Sequence, residues 1–208
     1  MWNFIVKGGP VMLPIILGSI YGLAIILEKF WFLRKIKMDS SRFVQDIFKY
    51  IKGNNFQKAM ELCDKNIDYP VAAIFKIGIE RRNSPADRLE KILEQAGNNQ
   101  IQRLEKRLGA LASVIGIEPL LGFLGTITGL IRAFMSWEQA GANITVNVLA
   151  LGIYEAMITT AAGLMVAIPF YLCYNYFISR IKYSATELNN YALQLIEVIS
   201  ETKEGTKA

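Results

Sequence analysis

Histidine is absent from all 208 residues. Its absence removes Ser-His nucleophile pairs, HExxH zinc sites and Cys/His zinc fingers at once. Cysteine is scarce: only Cys63 and Cys173 occur, far apart and without a CxxC. A four-cysteine zinc site is impossible within one chain, and a disulfide framework is not expected. No nucleotide loop, metal cluster or nucleophile–base pair appears, so a soluble-type enzyme is the weakest reading. Nothing calls for a cofactor or a metal. Charge is also missing in places. Between Lys7 and Glu28, residues 8–27 carry none.

Apolar residues make up 52% of the chain and mean hydropathy is +0.28, values that suit a membrane protein. A charge-free run of this length, as a helix, matches the roughly 30 Å of bilayer hydrocarbon. It ends in Phe30-Trp31-Phe32-Leu33 and then Arg34-Lys35-Ile36-Lys37, an aromatic belt followed by basic anchors. One preceding lysine and no small-residue cleavage site argue against a signal peptide. A second apolar stretch runs from about Leu108 to Met135 and holds Glu118 and Arg132; a third, Val146 to Phe177, holds the single carboxylate Glu155.

These runs predict an all-α integral membrane protein with three transmembrane helices, the second and third extended as long helices into a cytoplasmic helical bundle. The expected organisation is an N-terminal interfacial segment (1–9), span one (10–33), a cytoplasmic helical region (34–112), span two (113–136), a short periplasmic loop (137–146), span three (147–177) and a cytoplasmic C-terminal helix and tail (178–208). Of the 23 Lys+Arg, 16 fall in residues 34–112, against 10 Asp/Glu there. The positive-inside rule then puts this region and the C-terminus in the cytoplasm, and the N-terminus outside. The net charge of +5 is thereby a topology signal. A nucleic-acid partner is not expected, since no stacking surface accompanies the basic residues.

Within the large loop, Phe43, Val44, Ile47, Phe48 and Ile51 share a helical face that stops at Gly53-Asn54-Asn55. Helices are expected over Phe56–Cys63 and Val71–Ile79, and Ser84-Pro85 reads as an N-cap with proline in the first helical position. No proline follows before span two, so that span is expected to begin as a long cytoplasmic helix. Ile181, Ala185, Leu188, Ala192, Leu195 and Ile199 form a heptad-type seam. Residues 202–208 read as frayed.

The polar residues inside the spans carry the chemistry. A carboxyl in hydrocarbon is costly and normally faces a bundle interior, a cavity or a partner. Hydrocarbon disfavours its charged form unless a cation lies nearby, and a carboxyl exchanging protons near working pH is what a relay needs. Glu155 is followed one turn on by Thr159 and then Thr160, whose hydroxyls both donate and accept. The bland alternatives are an interhelical hydrogen bond for Glu155 and bonds back to their own helix for the threonines. Gly122, Gly125 and Gly129, with Thr126 beside them, face a matching stripe of Ala156, Thr160, Gly163 and Ala167, so close packing of spans two and three is expected. Pro119 and Pro169 are candidate kinks, and Arg132 is expected to reach the outer interface.

The stretch 117–131, IEPLLGFLGTITGLI, resembles the second span of the ExbB/TolQ/MotA proton-channel family. The stretch 152–164, GIYEAMITTAAGL, continuing to Pro169, resembles its third. Three spans favour the ExbB/TolQ branch, with the ExbB-like side favoured. The resemblance implies an inner-membrane homopentamer, surrounded by membrane lipid, that encloses the single spans of an ExbD- or TolR-like partner bearing a membrane aspartate. It also implies coupling of the proton-motive force to a TonB- or TolA-like protein. Its pore glutamate falls on Glu155 and its pore threonines on Thr126 and Thr160. One departure stands out. Where the family has a small residue before the span-two proline, this chain has Glu118, either at the cytoplasmic exit of a proton path or as an interfacial charge paired with a basic residue. Competing readings are a passive oligomeric scaffold and a solute transporter, the latter without support from any inverted repeat.

Overall fold

The computed structural model describes residues 7–35, 40–140 and 146–205. The expectations for residues 1–6 and for residues 141–145 of the 137–146 loop lie outside the described residues, whereas residues 137–140, expected in that loop, are helical. Every described element is helical: α1 (Met12–Lys35), α2 (Ser40–Lys52), α3 (Phe56–Lys65), α4 (Pro70–Glu80), α5 (Ala86–Glu105), α6 (Leu108–Ala140) and α7 (Val146–Gly205). Three helical stretches, Met12–Arg34, Leu108–Gln139 and Ala150–Thr202, are long and apolar enough to cross a membrane. The last two belong to helices of 33 and 60 residues, as the unbroken apolar patterns require. Pro119 and Pro169 lie inside these helices without ending them.

The chain divides into two compact units. One comprises residues 1–29 and 107–177, the other residues 30–106 and 178–208. In the second unit, Phe43, Val44, Ile47 and Ile51 of α2 are buried together with Phe75 and Ile79 of α4, Leu89, Leu93 and Ala96 of α5, and Leu188, Ala192, Leu195 and Ile199 of α7. The α7 seam thus finds the face of α5 that has the same periodicity. Asn54, at positive φ (55°), ends the chain's path out of α2, and Asn55 caps α3 by accepting a hydrogen bond from the Lys58 amide at 3.2 Å.

Three local expectations need correction. Helix α5 starts one residue late, with Pro85 itself in the N-cap position and no side-chain cap. The approach to span two is broken. Lys106 ends α5, Arg107 sits at φ 69°, and α6 begins afresh at Leu108. The unfavourable left-handed conformation comes with an ion pair between the Arg107 guanidinium and Glu28 of α1. Finally, α7 does not fray at residue 202: it continues to Gly205, and the Thr202 hydroxyl donates to the Val198 carbonyl at 2.7 Å.

Cys63 sits fully buried in α3. Burial first, then the neighbouring Asp64 charge, push its thiol up to about 12 from an ordinary 9.0. A thiol raised in the folded state contributes stability that is present below about pH 9 and is lost as the pH rises from there toward 12. Iodoacetamide at mildly alkaline pH is therefore expected to leave Cys63 unmodified in the folded protein and to label it fully on denaturation, as read by peptide mass spectrometry. Labelling at the rate of a free thiol would contradict this burial.

Candidate functional site in the membrane-spanning unit

Helices α6 and α7 touch backbone to backbone. A Cβ added at Gly122 would lie 3.0 Å from both the Thr159 carbonyl oxygen and the Thr160 Cα. One at Gly129 would lie 2.9 Å from the Gly152 carbonyl oxygen. One at Gly163 would fall on the Glu118 carbonyl, and one at Gly125 on the Thr159 hydroxyl. The two small-residue stripes therefore meet, and their contact brings the polar residues of both spans together.

The three threonines behave differently. Thr160 donates across the interface to the Gly122 carbonyl at 3.0 Å. Thr159, fully buried, donates back to the Glu155 and Ala156 carbonyls at 3.1 and 2.9 Å. Thr126 likewise bonds back to the Phe123 carbonyl at 2.6 Å. Serine and threonine in helices commonly satisfy themselves this way, and the acceptor lone pairs stay available. Gly125, not Thr126, faces Thr159, so Thr126 stands one position off the contact line.

Glu155 does not stand alone. Arg132 of α6 donates from Nη1 to Glu155 Oε1 at 2.6 Å, with the Glu155 side chain 13% exposed and that of Arg132 47%. This partner was not part of the expectation for Arg132, which concerned only its reach toward the outer interface. In a region poor in water a guanidinium gains more from a carboxylate than from partial hydration. The two residues stand on different helices, and the long arginine side chain bridges them.

The N-terminal turn also reaches this carboxylate, a feature that the sequence reading missed. Gly9 has φ +67°, and a Cβ there would fall on Glu155 Oε1. Its Gly-Gly-Pro setting was the available signal. Beside the ion pair opens a cleft of about 270 Å³, lined by Lys7, Arg132, Ser136, Leu151, Tyr154 and Glu155 among others. The second carboxyl, Glu118, is 1% exposed, and its Oε2 has no hydrogen-bond partner. It makes no ion pair among the described residues, contrary to the interfacial-pair alternative. Across from it, a Cβ on Gly18 of α1 would fall on Glu118 Oε1. Lys29, placed by the sequence at the membrane exit, is itself buried (3% exposed). Among the described residues no group of His, Cys, Asp and Glu is arranged to hold a metal ion.

Residues 66–190, which include both small-residue stripes and both buried carboxyls, match the MotA/TolQ/ExbB proton channel family. The chain belongs to this family. Among its relatives, a putative biopolymer transport protein, ExbB-like 1, from Synechocystis is 32% identical over 78% of this chain and 64% of its own length. ExbB-like 3 from the same organism is 32% identical over 82% of this chain and 81% of its own length. The Tol-Pal system protein TolQ of Haemophilus influenzae is 40% identical over 41% of this chain and 37% of its own. The chain thus spans just under two thirds of the first of these relatives. Membership accounts for the three apolar helices and for the biopolymer-transport names of the relatives.

Proposed function

We propose that this chain is the proton-channel subunit of an inner-membrane complex that couples the proton-motive force to work at the outer membrane, in the manner of TonB- or Tol-type energy transduction. The observation that carries the reading is Glu155, a mostly buried carboxyl at the α6–α7 contact with two threonine hydroxyls on the turn that follows. With no histidine in the chain, a relay here runs on carboxyls, hydroxyls and water. Thr126 and Thr160 are the pore hydroxyls in this reading, with Thr159 beside them. The N-terminus is periplasmic and the C-terminus cytoplasmic, spans 10–33, 113–136 and 147–177 cross the bilayer, and copies of the chain assemble as a pentamer around an ExbD- or TolR-like helix that acts on a TonB- or TolA-like protein.

The test is proton flux in vesicles holding the chain together with an ExbD- or TolR-like single-span protein. Glu155→Gln and Thr160→Ala are each expected to abolish partner-dependent flux while the oligomer still forms. Full flux in both variants would sink the proposal. In the same vesicles Glu118→Gln is expected to lower flux, because the buried, unpartnered carboxyl lies roughly 12 Å along α6 from Thr126, toward the cytoplasmic exit. Unchanged flux would remove Glu118 from the path. A second reading, a passive scaffold, draws on the Arg132–Glu155 ion pair and the Thr160–Gly122 hydrogen bond, both of which join α6 to α7. It expects Glu155→Gln to reduce assembly yield with no separate transport defect.

A further inference from the structure

Three segments of the membrane-spanning unit meet at the cleft beside Glu155: the turn that leads into α1, the last turns of α6 and the first turns of α7. Lys7 comes from the turn, Arg132 from α6, and Tyr154 and Glu155 from α7. Two basic side chains face one carboxyl, so at least one positive charge is left over whatever form that carboxyl takes. Glu138, the other acid near this end of α6, is not among the described residues that line the cleft. Lys7 is exposed and makes no ion pair among the described residues. Arg132 gives Nη1 to Glu155 Oε1. A guanidinium carries five N–H donors in all, so it can hold a second anion at the same time. The rim is apolar, with Leu151 61% and Tyr154 59% exposed. One residue beyond Ser136 of the lining, Trp137 is exposed and stacks on Phe134 at 6.3 Å between centroids, an aromatic pair of the kind that sits at headgroup level.

We infer that this cleft binds the phosphodiester headgroup of an anionic phospholipid, held by Lys7 and the unused donors of Arg132, with acyl chain laid along Leu151 and Tyr154. The position along the helices suits a headgroup. Lys7 stands just ahead of α1, and Arg132 lies about two turns short of the end of α6, within reach of the bilayer surface for a long basic side chain. A phosphodiester brings one negative charge, which the excess of the cleft neutralises. Its two unesterified oxygens accept charge-assisted hydrogen bonds from both cations, and the Tyr154 hydroxyl is a further donor at the rim. A soluble phosphate shares this polar chemistry but gains nothing from the apolar rim, whereas acyl chain buries Leu151 and Tyr154. The headgroup then joins the turn that covers Glu155 to α6, so that lipid charge fastens this end of the unit.

Native mass spectrometry of the full chain tests this, with the protein extracted from vesicles that hold phosphatidylglycerol and phosphatidylcholine in equal amounts. The native chain is expected to retain phosphatidylglycerol in preference. Lys7→Gln is expected to lower the ratio of the two retained lipids about fivefold, the effect of one basic residue at a charged headgroup. Arg132→Gln should lower it at least as far. Lys58→Gln, at an exposed lysine of α3 in the other unit, should leave it unchanged. A ratio in either cleft variant equal to that of the native chain would overturn the inference. An equal fall in Lys58→Gln would do the same, because the preference would then follow net charge alone. So would displacement of the bound lipid by glycerol 3-phosphate at the lipid's own concentration, since the cleft would then be a site for soluble phosphate. No ion flux enters this readout, so the lipid site and the channel reading fail separately.

Discussion

Gly163→Ala is expected to lower the stability of the membrane-spanning unit by about 3 kcal/mol, the upper end of what overpacking costs. The added methyl would land on the Glu118 carbonyl, a backbone atom in the middle of a 33-residue helix, so no side chain can turn away to make room. Either α6 and α7 separate, losing the Thr160–Gly122 hydrogen bond, or α6 bends. Gly116→Ala, on the same helix with nothing within 4 Å of the new Cβ, is the control. It should be neutral or gain about 0.5–1 kcal/mol from helix propensity alone. Midpoints of denaturant-induced unfolding in a fixed detergent compare the two. Equal midpoints would mean that the small-residue stripes do not hold these helices together.

In the other unit the largest effect is expected at Phe75→Ala, about 3–5 kcal/mol. The ring is fully buried, stacks on Phe48 at 5.7 Å between centroids and lies 6.3 Å from Phe43. It therefore joins α4 to α2, and its removal leaves a cavity between them. Leu193→Ala, on the same unit but 49% exposed, should stay within about 0.5 kcal/mol. Limited proteolysis of residues 40–105 in native membranes reads the difference: faster cleavage is expected for Phe75→Ala alone. Similar cleavage of both variants would deny Phe75 its central place.

Much of this architecture was legible because it depends on spacing along one helix. The charge-free run of residues 8–27 gave α1, the glycine stripe at 122, 125 and 129 met α7, and Leu188, Ala192, Leu195 and Ile199 joined the core. What escaped depends on reach and on backbone conformation. Arg132 and Glu155 lie on different helices, 23 positions apart in sequence, and the length of the arginine side chain couples them. The break at Arg107 uses a non-glycine residue at positive φ, and no local turn chemistry announces it. Thr126 carries the right residue type for a pore, yet its hydroxyl is turned onto its own helix, a choice between rotamers that spacing does not encode.

The glycines of α1 and its preceding turn bear on how this protein can be recombined with its relatives. Gly9 and Gly18 each stand where a side chain would strike a carboxyl, Glu155 in one case and Glu118 in the other. The first span is thus shaped to two acids that belong to other helices. A chimera that imports a foreign first span is expected to fail unless glycine is kept at both positions. A chimera that imports the second and third spans can dispense with Gly18 only if residue 118 becomes small. Transplantation boundaries for this chain are accordingly set by pairs of residues far apart in sequence, and the first helix travels with the acids it accommodates.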